Sequence, residues 1–139
     1  MAKPRLSRWI PLTYDETKRA PATPGVYQIR CRGKAIPRML GVDEEGILTI
    51  GESVSIQRRL GLFLYSAEGK KGGHAAGWRF NFLQLVNKGF PIDSLEFRWA
   101  HAPDKKAAYS MEGCLLADYL GRFGELPPLN YKANWSCDN

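Results

Sequence analysis

Apolar and polar residues alternate over residues 26–31, directly after Pro24-Gly25, and this predicts a strand. Arg32-Gly33-Lys34 is a turn signal. Residues 36–42 predict a middle strand interrupted by Pro37, which suits a sheet edge. Asp43, Glu44, Glu45 and Gly46 form a second turn, with the acids expected in solvent rather than on a metal. Residues 47–51 are rich in β-branched side chains and predict a third strand. The period then lengthens. Ile56, Leu60, Phe63 and Leu64 form a helical stripe ending near Tyr65, with Ser53 or Ser55 as its cap. A Gly- and Lys-rich loop fills residues 67–73. Residues 74–88 predict a helix carrying Trp78, Phe82, Leu85 and Val86, with Gly89 just beyond its end. Residues 95–100 alternate as a strand. Pro103-Asp104 opens a last helix to about Phe123, and Pro127-Pro128 ends regular structure. Residues 1–23 are basic and proline-dotted. They read as an arm with a short helix near Tyr14, ahead of one domain spanning residues 24–139. The order β, (β), β, α, α, β, α indicates a small α+β sandwich.

Composition narrows this picture. The 139 residues suffice for one core, and 44% apolar content is that of a globular chain. The formal charge is +6, unevenly spread: residues 1–40 hold nine Lys/Arg against two acids. A second basic run holds Arg58, Arg59, Lys70, Lys71, Arg79 and Lys88 against Glu68 alone. Such an excess favours a polyanionic partner, nucleic acid above all. No apolar run has the length of a signal peptide or a bilayer span, so a cytoplasmic protein without a membrane partner is expected. Cys31, Cys114 and Cys137 are odd in number and scattered, which fits reduced thiols. Without a Cys-x-x-Cys pair, and with His74 and His101 far apart, a structural zinc site is not expected.

Five residues stand out chemically. Glu112 lies on the apolar face formed by Ala108, Leu115, Leu116, Tyr119 and Phe123. A half-buried carboxylate there needs a metal ion or an arginine, unless it reaches solvent at the stripe's edge. Arg59 borders Ile56 and Phe63, which suits a bidentate phosphate contact, a surface position or a partner for Glu112. Tyr27 is a strand phenol that needs a nearby cation to act as an acid or base. His74, in a glycine-rich loop, is either a proton shuttle or a solvated residue. Asn130 follows a rigid proline turn and can lock two elements together. There is no Gly-x-Ser-x-Gly elbow, and Gly69-Lys70-Lys71-Gly72 lacks the spacing of a phosphate-binding loop.

Taken together, these residues resemble the GIY-YIG nuclease superfamily. Gly25-Val26-Tyr27 matches its first motif. Thr49-Ile50-Gly51 matches the second except at its first residue. Arg59, then Met111-Glu112 with Leu115-Leu116, then Pro128-Leu129-Asn130 follow in the family's order, so the resemblance covers residues 24–130. It implies a small antiparallel three-stranded sheet flanked by helices, and metal-dependent hydrolysis of DNA phosphodiesters. Glu112 would hold Mg²⁺ or Mn²⁺, and Arg59 would clamp the phosphate. Tyr27, with His74, would activate or orient water, and Asn130 would brace the glutamate helix. Arg58, Lys70, Lys71 and Arg79 are the expected DNA contacts, in a monomer or homodimer. Two departures matter. Thr49 cannot become a phenolate, and Glu52 either repels phosphate or adds a metal contact. Phe63 stands where a family histidine is frequent. The alternative is a catalytically degenerate module that keeps the fold and binds nucleic acid.

Overall fold

The computed structural model describes residues 4–70, 72–86 and 89–137, with no account of the side chains of residues 84–86. Lys71 and Lys88, and the Leu85 and Val86 side chains, therefore lie outside the described residues.

The strand predicted from residue 26 becomes the centre of the molecule. Strands β1 (Ile10–Pro11), β2 (Gly25–Cys31), β5 (Ile47–Ser53) and β6 (Leu95–His101) form one antiparallel sheet in the order β1-β6-β2-β5. β2 is bonded along both edges, so all its residues but Arg30 are buried. The sheet thus has four strands rather than the three expected, the extra one being short and drawn from the N-terminal stretch. Helices α2 (Ile56–Ala67) and α3 (Ala75–Val86) cover one face. Tyr27, Ile29 and Phe97 of the sheet meet Leu60, Phe63 and Phe80 there. Helix α4 (Lys105–Phe123) covers the other, where Val26, Ile50 and Ala100 meet Leu115, Leu116 and Tyr119. The result is an α+β domain layered helix, sheet, helix.

The helix ends follow capping chemistry. Ser55 accepts from the Arg58 amide and starts α2, and Asp104 accepts from the Ala107 amide at 2.8 Å and starts α4. Gly124, at φ 76°, closes α4 in the left-handed conformation that favours glycine.

Several expectations are corrected. Residues 36–42 do not form a middle strand. They split into β3 (Ile36–Arg38) and β4 (Gly41–Asp43), a separate hairpin in which Pro37 faces Val42. The chain reverses at Met39-Leu40 with Gly41 at φ 90°, and the Met39 and Leu40 amides bond Glu125 and the Phe123 carbonyl. Asp43 is not solvated. It is buried and accepts from the amides of Glu45, Gly46 and Ile47 and from the Tyr119 hydroxyl. In α3, Trp78 and Phe82 face outward, and Ala76 and Phe80 are buried instead. The helix is apolar on more than one side, so periodicity alone misassigns its face. Gly77 decides the matter: a Cβ there would meet the Phe63 carbonyl at 2.6 Å, so this face must lie against α2. Cys114 and Cys137 are not free thiols but a disulfide. Cys31 is the free cysteine, its thiol pushed up to about 12 by burial.

The stretch before residue 24 is laid on the domain. The Ser7 amide donates to the Trp99 carbonyl, Leu12 is buried in the core, and Thr13 caps helix α1 (Tyr14–Arg19). Trp9 stacks against the guanidinium groups of Arg30 and Arg98, at 4.2 and 4.4 Å. Among the described residues no helix is long and apolar enough to cross a membrane.

Gly51 pairs with Tyr27 across β2 and β5, and a Cβ on it would come 2.3 Å from the phenol oxygen. Gly51→Ala is expected to destabilise the fold by about 1–3 kcal/mol, the cost of overpacking a core that cannot give way. Urea unfolding would check this; an unchanged midpoint would mean that the ring moves at no cost.

Candidate active site

The sequence places Gly51 and Tyr27 on adjacent strands, and the absence of a side chain at Gly51 lets the phenol lie over β5. Beside this pair a cavity of about 250 Å³ opens between β5, α2, α3 and α4. Tyr27, Thr49, Gly51, Glu52, Arg59, His74, Arg79, Glu112 and Asn130 all line it. The five candidate catalytic residues, Tyr27, Arg59, His74, Glu112 and Asn130, therefore meet at one place with the second-motif residues Thr49 and Gly51.

Tyr27 is buried, and desolvation pushes its phenol up to about 12 although the nearby Arg59 guanidinium opposes this. It is a neutral phenol at pH 7. His74 Nε2 lies 2.9 Å from its oxygen. His74 Nδ1 accepts from the Gly77 amide at 3.4 Å, so the proton of the neutral ring sits on Nε2 and is donated to Tyr27. With His74 donating to the phenol oxygen, the Tyr27 O–H is left to donate elsewhere, and the phenol lines the cavity. His74 itself is no solvated loop residue. It is 3% exposed, packs edge-on against Phe63 and precedes α3. Burial, then Arg59, lower its pKa to about 3, which removes it as a proton shuttle near neutrality.

Opposite lie two carboxylates. Glu112, half-buried on α4, has a raised pKa, first from desolvation and also from the charge of Glu52. Asn134 Nδ2 donates to its Oε1 at 2.9 Å, which opposes the rise. Glu52 makes a loose ion pair with Lys105 at 3.9 Å through Oε1. Its Oε2 is buried without any hydrogen-bond partner. An orphaned carboxylate oxygen beside a second carboxylate fits a bound cation, which would satisfy the one and relieve the repulsion on the other. Among the described residues no group of three or more His, Cys, Asp or Glu could hold a metal. Were a cation to bind here, Glu52 and Glu112 are the two carboxylates that would hold it, with water completing its coordination.

Asn130 does not brace the glutamate helix. Its Oδ1 accepts from the Ile50 amide and its Nδ2 donates to the Ile50 carbonyl, at 2.9 and 3.0 Å, as an adjacent strand would. It holds β5 between Thr49 and Gly51. The residue that reaches the glutamate is Asn134. No motif signal marks it in the sequence, where Cys137 reads as a reduced thiol. Lys132, Tyr109 and Tyr131 also line the cavity and were not anticipated.

Of the expected DNA contacts, Arg79 lines the cavity, donates to the Leu129 carbonyl at 3.1 Å and stacks on Tyr131 at 4.2 Å. Arg58 is exposed on α2 outside the cavity. Lys70 is also outside it, paired with Glu68 at 3.3 Å. Searches of family models, curated proteins and solved structures find no match to this chain.

His74 has a consequence for stability. Its pKa is 6.5 when unperturbed and about 3 in the fold. Between these values the unfolded chain binds a proton that the folded chain refuses. The group's contribution is complete above about pH 6.5 and is lost as pH falls toward 3, by at most about 1.4 kcal/mol per pH unit. Urea unfolding of wild type and His74→Gln, near pH 7.5 and near pH 4.5, should show the gap between them narrowing in acid. A gap independent of pH would contradict a buried neutral imidazole.

Proposed function

We propose that this chain is a divalent-metal-dependent endonuclease that hydrolyses phosphodiester bonds in DNA, with a GIY-YIG-like site. One observation carries the reading: an orphaned carboxylate oxygen of Glu52, close enough to Glu112 to raise its pKa, in the cavity that Arg59 and the Tyr27–His74 pair also line. Carboxylates and a guanidinium lining one cavity suit a phosphate whose charge an arginine and a bound cation would both offset.

Each residue then has a task. Glu112 and Glu52 hold Mg²⁺ or Mn²⁺. The cation supplies positive charge against the phosphate oxygens. Arg59 binds the phosphate and stabilises the charge that develops in the transition state. Tyr27, held neutral by burial, orients the attacking water through its O–H; a phenol titrating near 12 is a poor base at pH 7. His74 and Arg59 fix the phenol in place. Asn130 keeps β5 in register beneath it. Arg79 and Lys132 add positive charge at the cavity. The formal charge of +6 supports an electrostatic, salt-sensitive hold on the DNA backbone.

Thr49 fits this assignment, since no step requires a phenolate from the second motif. Glu52 is then a cation ligand and not a repulsive intruder.

Plasmid, linear duplex and branched DNA, incubated with Mg²⁺, Mn²⁺ or EDTA, provide the test. Wild type should cut in either metal and not in EDTA. Glu112→Ala should show no metal-dependent cutting, and Glu52→Gln a marked loss. Arg59→Ala should be slower by about 10²–10³-fold, as for the loss of one transition-state charge stabiliser. Binding without cutting in every metal would replace the enzyme with a nucleic-acid-binding module on the same fold. Neither binding nor cutting would remove both.

A further inference from the structure

We infer that the Cys114–Cys137 disulfide is a redox-sensitive latch that holds Asn134 against Glu112, making Asn134 a positioning residue for the candidate metal site. This rests on the assignment of Glu112 as a cation ligand.

The geometry runs along one short strap, residues 131–137. Asn134 is buried on the N-terminal half of α4. Its Oδ1 accepts from the Ser136 amide at 2.9 Å, which fixes which end of the side-chain amide faces where. Its Nδ2 then points at the helix and donates to the Tyr109 carbonyl at 2.8 Å and to Glu112 Oε1 at 2.9 Å. The Ser136 hydroxyl donates to the same Tyr109 carbonyl at 3.0 Å. Gly113 makes room: a Cβ there would sit 3.0 Å from the Cys137 amide nitrogen and 3.1 Å from Asn134 Oδ1. The strap thus lies directly on the turn of α4 that presents Glu112.

What keeps it there is the covalent bond. Residues 131–137 have no regular secondary structure, and Tyr131, Lys132 and Trp135 are exposed. The strap has little apolar burial of its own. The bond to Cys114, two residues after Glu112, closes a sequence separation of 23 residues and pins the strap's far end. Both cysteines are only partly buried, so a small thiol can reach them.

The chemistry is ordinary thiol–disulfide exchange. A thiolate of an external dithiol attacks one sulfur, the S–S bond breaks, and a mixed disulfide forms. The reductant's second thiol resolves it and leaves as a cyclic disulfide. The chain gains two electrons and two protons, as two cysteine thiols. The released strap takes the Asn134 donor away from Glu112, leaving the carboxylate free to turn away from the cation. Outer-shell partners of metal ligands commonly govern about 10–100-fold in affinity.

Calorimetric titration with MnCl₂ tests this on the full chain as wild type, Asn134→Ala, Cys137→Ser and the double variant. Each single variant is expected to bind Mn²⁺ about 10–100-fold more weakly. The double variant should be no worse than either, because both act through one contact. Cleavage should lose kcat with the KM for DNA unchanged. Wild-type affinity in Cys137→Ser, or additive losses in the double variant, would overturn the latch. If wild type binds no Mn²⁺, the metal-site reading fails, and hydrogen exchange at the Ser136 amide still decides the latch. Faster exchange after phosphine reduction of wild type supports it, and unchanged protection refutes it. That measurement also covers a Cys137→Ser chain that fails to fold.

Discussion

The structure hangs on the contact between the Tyr27 ring and Gly51. Two strands pair at that point, and one of them has no side chain there, so the phenol can lie across its partner. Its hydroxyl then lands where α2 supplies Arg59 and the start of α3 supplies His74. One side chain thereby ties two strands to two helices. Without Gly51 the ring is displaced, and the helices lose the polar group about which they converge. The burial that makes this contact stabilising also sets the chemistry. It holds the phenol protonated and the imidazole neutral, so the pair acts by geometry and not by proton exchange.

The opposite wall has a different economy. A protein of this size is stable by only about 5–15 kcal/mol, and a buried polar atom left without a hydrogen-bond partner works against that by about 1–3 kcal/mol. Glu52 keeps an oxygen buried without a donor, beside a second carboxylate whose pKa burial raises. Residues that only served stability would not be arranged so. The Arg30–Glu96 pair at 3.0 Å shows what this chain does where a charge is merely structural: each group finds its partner. The contrast within one molecule sets the Glu52 oxygen, left without a donor, against a carboxylate whose partner is in place. Phosphate fits the same logic, since Arg59 and Arg79 bring positive charge to the cavity that holds the acids.

How much of this was legible in the sequence depended on which force places each residue. The strands at 26–31, 47–51 and 95–100, the stripe of α2 and the start of α4 at Asp104 follow from periodicity and capping, and they emerge where expected. Glu112 was legible because a charge on an apolar helical face breaks a pattern. The face of α3 was not, because Trp78, Phe80 and Phe82 offer two apolar sides, and only the close approach at Gly77 selects between them. His74 was misjudged because a glycine-rich stretch suggests solvent, whereas its ring fills a hole beside Phe63. The stretch before residue 24 looked like a free arm because Ile10 and Leu12 are too few to form a pattern. Pairing with β6 gives them a place.

The least legible part is the stretch from Leu129 to Cys137, and the reason is physical. Its work is done almost entirely by hydrogen bonds. The Leu129 amide bonds the Leu48 carbonyl and its own carbonyl receives Arg79; Asn130 imitates a strand against Ile50; Asn134 reaches Tyr109 and Glu112. Hydrophobic periodicity reports which side chains leave water, so a segment held by backbone and amide groups is silent to it. Yet this segment joins β5 to α4, the two elements that present Glu52 and Glu112. Rigid elements carry the charged groups, and an irregular segment sets their relative position, a common division of labour at functional sites. A tyrosine or threonine at position 49 changes which groups are available for chemistry. The polar stitching from Leu129 to Cys137 determines whether those groups face one another at all.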